Sequence, residues 1–169
     1  LAAEICEDVW ACCPPSISHA CAGATVIANC SASDETVGKD SYRDSLICGQ
    51  SARLVCGYIY ANAGEGESTQ DLVFGGHNII AENGTRLSVS RRFGHETIYA
   101  DLDLERLAGE RRRMTTYPAR TMISPVSYTS VEFSLNREPL KLRRFIDPAP
   151  FVPRDSGERN RRCEEILSI

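Results

Sequence analysis

The sequence predicts an α/β domain built on a sheet with helices packed on its outer face. Three observations point there. Over residues 1–63, short apolar runs of strand length alternate with helically periodic segments. From residue 71 onward the rhythm changes to short strands punctuated by Gly75-Gly76, Asn83-Gly84 and Phe93-Gly94. A charged helix over 103–116 then closes this meander, with Leu104, Leu107 and Ala108 on one face. With 169 residues, 42% of them hydrophobic, the chain is long enough for one domain with a real core.

The elements follow in order. Residues 2–6 read as a strand ending at Cys6, and Pro14-Pro15-Ser16 opens a short helix that runs to Ala22, proline suiting a first helical turn. Gly23 ends it. Residues 25–30 (TVIANC) form a continuous apolar run, the mark of a strand buried on both faces. Residues 39–56 place Tyr42, Leu46, Gly49, Ala52 and Cys56 at helical spacing, with Gly57 as the stop and a strand over 58–63. Short strands are expected at 71–75, 78–82, 86–91 and 97–101, and Asn83-Gly84 is a strong two-residue hairpin signal. Pro148, Pro150 and Pro153 make 145–153 an extended linker, and 155–169 reads as a new helix. The domain expectation is therefore 1–144, then linker and helix over 145–169. The chain is expected to begin inside a domain, since Leu1-Ala2-Ala3-Glu4-Ile5 resembles the middle of a buried strand, and to break off inside the final helix.

Composition excludes several classes. No apolar run approaches the ~20 residues of a membrane span. Charge is uneven: residues 1–82 hold 3 Lys/Arg against 11 Asp/Glu, and residues 83–169 hold 16 against 12. The arginine pairs and triplet of the second half are interleaved with acids and lack stacking aromatics, so nucleic acid is not an expected partner. The eight cysteines form no C-x-x-C pair. Cys21, Cys30, Cys48 and Cys56 sit in apolar patterns as small hydrophobes. Cys6, Cys12 and Cys13 with His19 can be drawn as a metal site, but no second ligand pair follows at a zinc-finger spacing. The expectation is no metal, and reduced thiols in a cytoplasmic protein.

Cys6 carries the chemistry. A thiol at a strand end followed at once by a turn is exposed for attack, and the next backbone N–H, that of Glu7, is aimed at a developing oxyanion. A free thiol needs activation, and His19, His77 and His95 stand in no revealing context. Taken alone, a cysteine ending a strand is also compatible with core packing. Glu4 lies two positions back, on the same strand face as Cys6. Asp8 is better suited to ordering the turn than to chemistry.

The wider motifs favour the nucleophile. Glu4-Ile5-Cys6-Glu7-Asp8 with Trp10 and Pro14-Pro15 resembles the nucleophile motif of the nitrilase superfamily, as does Gly23-Ala24-Thr25 followed by Ala28-Asn29-Cys30-Ser31-Ala32-Ser33. Gly64-Glu65-Gly66-Glu67-Ser68-Thr69 and Gly75-Gly76-His77 resemble, more narrowly, the glutaminase domain of the glutamine-dependent NAD synthetase family. Val152-Pro153-Arg154 and the run from Arg159 to Ile166 resemble that family's linker and first synthetase helix. The resemblance implies part of an α-β-β-α sandwich. It implies a Glu-Lys-Cys amidase in which Cys6 forms a γ-glutamyl thioester and releases ammonia. Both partners lie upstream of the cysteine motif in the family. Ser33 and Lys39 match positions that hold the α-amino and α-carboxylate groups of glutamine. The family often has Arg where Lys39 stands, so the bidentate fork is lost. Lys39 then reads either as a substrate contact or as an exposed lysine at a helix start, and Arg43, one turn on, is the competing carboxylate partner. Trp10 either walls the pocket or packs in the core. The loop at 64–69 carries two acids, which disfavour phosphate, and reads as structural or interdomain.

The resemblance further implies a homo-oligomer whose separate synthetase domain uses ATP and Mg2+ to amidate nicotinic acid adenine dinucleotide. No cofactor is expected in this chain. Two rivals stay open: a stand-alone nitrilase-type amidase with another amide substrate, and a non-catalytic interaction domain on the same scaffold.

Overall fold

Strand β1 (Ala2–Ile5) pairs in parallel with β2 (Val26–Ser31), and β2 in parallel with β3 (Gly57–Asn62). These and the elements below come from a computed structural model that describes residues 1–68, 71–117, 127–136 and 143–169. The crossovers are α1 (Pro15–Cys21) and α2 (Lys39–Leu54). Each moves one strand in the same direction, so right-handed connections place both helices on one face of the sheet. β3 then pairs antiparallel with β4 (Ile79–Glu82), and β4 antiparallel with β5 (Thr85–Val89). The sheet order is β1-β2-β3-β4-β5.

The helix-facing side forms the core. Ile27, Tyr58, Tyr60, Ile79 and Ala81 from the strands meet Ala20, Ile47 and Leu54 from the helices. The β2 expectation needs correction. Its residues alternate in burial, with Ile27, Asn29 and Ser31 covered and Cys30 exposed. The helices cover one face of β2 only, so Cys30 is not a core thiol. The helix α2 expectation is also corrected. Its buried residues are Arg43, Ile47, Gln50, Ser51 and Leu54, while Tyr42 is 60% exposed. Hydrophobic periodicity pointed one residue off, because half of the buried face is polar and hydrogen-bonded.

The stop of α2 differs too. Val55 takes the left-handed conformation (φ 46°) that ends the helix. Gly57 instead begins β3, where a Cβ would lie 2.7 Å from Leu102. The Asn83-Gly84 turn joins β4 to β5 with φ of 45° and 86°, the left-handed pair a two-residue hairpin needs. Neither 71–75 nor 97–101 forms a strand: Phe74 makes a single isolated bridge to Asp34. The segment at 96–98 instead lines a hollow against Ile59 and Ile80 on the other side of the sheet.

α3 (Leu104–Arg113) begins at Asp103, whose side chain accepts the Arg106 N–H at 2.9 Å. Arg111 is not spent on solvent. Its guanidinium donates to the carbonyls of Val55, Ala20 and Leu54 at 3.0, 3.3 and 2.9 Å, adding a charged donor to the carbonyls at the ends of both crossover helices. The chain divides into two compact units, Leu1–Pro139 and Leu140–Ile169. The second holds α4 (Ser156–Ser168), capped by the Asp155 carboxylate on the Glu158 N–H at 2.8 Å. Among the described residues no helix is long and apolar enough to cross a membrane.

Arg111→Ala strips the cap from two helix ends at once. Unfolding in denaturant should show a loss of about 2–3 kcal/mol, the range for hydrogen bonds from a charged donor, and Arg111→Lys should recover only part of it.

Candidate active site

β1 ends at Ile5, and residues Cys6–Trp10 form one tight 3-10 turn. Its entry is strained: Cys6 has φ 50°, left-handed territory that costs a residue with a Cβ about 1–2 kcal/mol. Local bonds hold it there. The Asp8 carboxylate accepts the Ile5 N–H at 2.7 Å, and Val9 is buried beneath the turn. The side-chain amide of Asn29 in β2 grips the Cys6 backbone. Its oxygen accepts the Cys6 N–H at 3.0 Å and its nitrogen donates to the Cys6 carbonyl at 3.3 Å.

A buried polar chain lies behind this grip. The Asn29 amide also donates to the Tyr58 hydroxyl at 3.3 Å, and Tyr58 donates to Glu4 Oε1. Glu4 Oε2 accepts the Ser16 N–H at 2.8 Å in the first turn of α1, and Gln50 of α2 donates to Ser16 Oγ at 3.0 Å. Burial and the hydrogen bond to Glu4 push the Tyr58 hydroxyl far above its ordinary pKa, so it remains a donor. Both oxygens of Glu4 are thus engaged away from the thiol, although strand alternation alone allowed Glu4 to approach Cys6. The histidines are also engaged elsewhere. His19 bonds the Tyr128 hydroxyl and the Ala3 carbonyl, His77 bonds Arg43, and His95 lies 3.6 Å from Glu65.

Cys6 borders a shallow cavity of about 410 Å³ with Cys30, Ser31, Ala32, Asn62 and Glu67. Glu67 was not singled out by the sequence: its acidic loop carried no motif signal that placed it beside the thiol. Its Oε1 accepts the Gly64 N–H at 3.1 Å. Glu7 directly follows Cys6 and is exposed. Ser33 lies one residue beyond the lining. Its backbone N–H and C=O are both held by the side chain of Asn62, at 2.8 and 3.0 Å.

Trp10, Lys39 and Tyr42 form a separate cluster that does not line the Cys6 cavity. Trp10 stacks on Tyr42 at 5.4 Å, and Lys39 Nζ lies 5.6 Å over the Trp10 ring. Lys39 donates to Asp34 at 2.5 Å, and that hydrogen bond holds the Asp34 carboxyl below its ordinary range. Arg43 is fully buried. Its guanidinium pairs with Glu35 at 2.7 Å and reaches Ser33 Oγ at 3.4 Å, so of the two cations Lys39 is the one left with access to solvent.

Three of the other thiols are poorly suited to reaction. Burial pushes Cys56 up to about 12 and raises Cys21 and Cys48 as well. All eight cysteines are free. Among the described residues no group of three or more His, Cys, Asp or Glu side chains is arranged to hold a metal ion.

The fold is that of the nitrilase superfamily of carbon–nitrogen hydrolases. A superfamily member from Saccharomyces cerevisiae superposes with a TM-score of 0.57 at 21% identity, covering 70% of this chain and 42% of that one. A carbon-nitrogen hydrolase from Helicobacter pylori superposes at 0.54 and 20% identity, covering 65% and 42%. No protein-family model matches the sequence. Within that fold the chain is related to the glutamine-dependent NAD(+) synthetases. It is 41% identical over 177 residues to the enzyme of Mycobacterium leprae, covering 98% of this chain and 25% of the relative. The chain therefore spans about a quarter of the length of the curated relatives it matches.

His77 supplies a pH test of the buried cluster beside Ser33. Burial and the Arg43 charge lower its pKa from the ordinary 6.5. The unfolded chain then binds the extra proton first, so stability is full above pH 6.5 and falls as pH drops toward the lower folded value. Unfolding midpoints measured from about pH 7.5 down to 5 should decline, and His77→Gln should flatten this dependence.

Proposed function

We propose that Cys6 is the nucleophile of a glutamine amidase that supplies ammonia for NAD synthesis. The observation that carries this reading is the placement of Cys6 in a left-handed strand-end turn at the rim of an open cavity. The kinship to glutamine-dependent NAD synthetases supports glutamine as the substrate. The Cys6 thiolate attacks the side-chain carboxamide carbon of glutamine. The carbonyl oxygen takes the negative charge and is met by the Glu7 N–H. The C–N bond then breaks, the nitrogen leaves as ammonia after protonation, and the γ-glutamyl thioester is hydrolysed to glutamate.

Trp10 and Lys39 stand outside the cavity lining, on the substrate's approach, with Lys39 exchanging Asp34 for the substrate α-carboxylate and Ser33 receiving the α-amino group. Arg43, closed in its pair with Glu35, acts by holding Ser33. The base and the ammonium that family resemblance assigns to this chemistry come from elsewhere in the amidase, since Glu4 is committed to Tyr58 and Ser16. Residues 145–169, which fall in the second unit, are read as the linker and first helix of a synthetase domain. The loop at 64–68 carries Glu65 and Glu67, which disfavour phosphate. No step is assigned to a nucleotide here.

In the full-length protein, Cys6→Ala should abolish ammonia release from glutamine and prevent labelling by a glutamine-analogue chloroketone, with the labelled site read by peptide mass spectrometry. Lys39→Ala should raise KM for glutamine by roughly 10- to 100-fold, the loss of one charge-assisted contact, with a smaller effect on kcat. The 169-residue chain alone should release no ammonia above background; measurable turnover would sink the claim that its base and ammonium lie elsewhere.

A further inference from the structure

We infer that Asn29 is a positioning residue for Cys6, and that the Glu4–Tyr58 pair sets the direction in which it acts. The inference rests on the amidase reading above. Asn29 is 1% exposed, and its one amide group holds both the N–H and the C=O of Cys6. The polarity of the chain behind it is forced. Glu4 accepts from Ser16 and from Tyr58. With its proton given to Glu4, the Tyr58 oxygen is left as an acceptor toward Asn29. The Asn29 group facing Tyr58 must then be the NH2, which leaves Oδ1 for the Cys6 N–H. A carboxylate under the sheet thereby selects the amide orientation that fits the left-handed Cys6.

The consequence reaches the reacting atoms through one peptide. No peptide bond in the described chain is cis. In a trans peptide the C=O and the following N–H point in opposite directions. Holding the Cys6 carbonyl against Asn29, on the helix side of the sheet, turns the Glu7 N–H away from it. That N–H is the donor assigned to the oxyanion. Asn29 acts through its bonds to the Cys6 backbone, fixing the plane that carries both the thiol and the donor.

The test is steady-state glutamine hydrolysis by the full-length protein, with active sites counted by stoichiometric Cys6 labelling. Asn29→Ala should lower kcat on the order of 100-fold, the scale for a misplaced oxyanion donor, with KM for glutamine changed by less than about 3-fold because Ser33 and Lys39 remain. Asn29→Asp keeps the acceptor for the Cys6 N–H and loses the donor to the Cys6 carbonyl. Its kcat relative to wild type should rise as pH falls from about 8 to 5.5, as protonation of the new carboxyl restores a donor. Tyr58→Phe should give a smaller loss, again in kcat. If Asn29→Ala does not fold, the Asn29→Asp pH profile decides. Wild-type kcat in either folded Asn29 variant, or a loss confined to KM, would overturn the inference. Activity surviving in Cys6→Ala would instead overturn the amidase reading itself, so the two failures are separable.

Discussion

A carboxylate buried beneath the first strand organises this domain. Glu4 is 3% exposed and has no cation among its hydrogen-bond partners in the described residues; it is satisfied by the Ser16 N–H and the Tyr58 hydroxyl. Burying such a group is costly unless its lone pairs are met, so its partners must be present in one arrangement. Ser16 supplies a helix N-terminus, where a negative charge is favoured. Tyr58 lies two strands away in β3. One side chain therefore ties β1, α1 and β3 together, and through Asn29 it reaches the backbone of the residue that carries the thiol. The polar chain runs through the core instead of around it, so packing and site geometry are set by the same bonds.

A second buried polar group repeats this logic near the N-terminal end of α2. Arg43 sits under the sheet with Glu35, His77 and Ser33 around it. Removing one member of such a group leaves an uncompensated charge or dipole in a low-dielectric interior. Burial and the Arg43 guanidinium both push the His77 pKa down in this setting. The two polar centres flank the hydrophobic core on the helix face of the sheet. Both end at residues next to the cavity, Cys6 on one side and Ser33 on the other.

Much of this was legible in the residues. The apolar runs located β1 to β4, Asn83-Gly84 located the hairpin, and the motif around Cys6 marked the thiol. What misled was polarity. Helix α2 buries Arg43, Gln50 and Ser51, so a hydrophobic stripe could not mark its inner face. Strand β2 looks apolar throughout, yet its helices cover only the side of Ile27 and Asn29, and Cys30 stays exposed. Glu67 carried no spacing signal because its place beside Cys6 depends on a loop returning from the end of β3.

The sequence by itself determined the order of strands and crossover helices, the strand-end position of Cys6 and the kinship to the glutamine-dependent NAD synthetases, because periodicity, turn residues and motif order are local or linear properties. Only the tertiary structure decided which side chains meet. It committed Glu4 to Tyr58 and Ser16, closed Arg43 in its pair with Glu35 while leaving Lys39 on the surface beside Trp10, and set Asn29 against both ends of Cys6. Those outcomes depend on strand register and on which face the helices cover. A hydrogen bond between residues 23 or 54 positions apart in the chain is created by that register, and no local pattern encodes it.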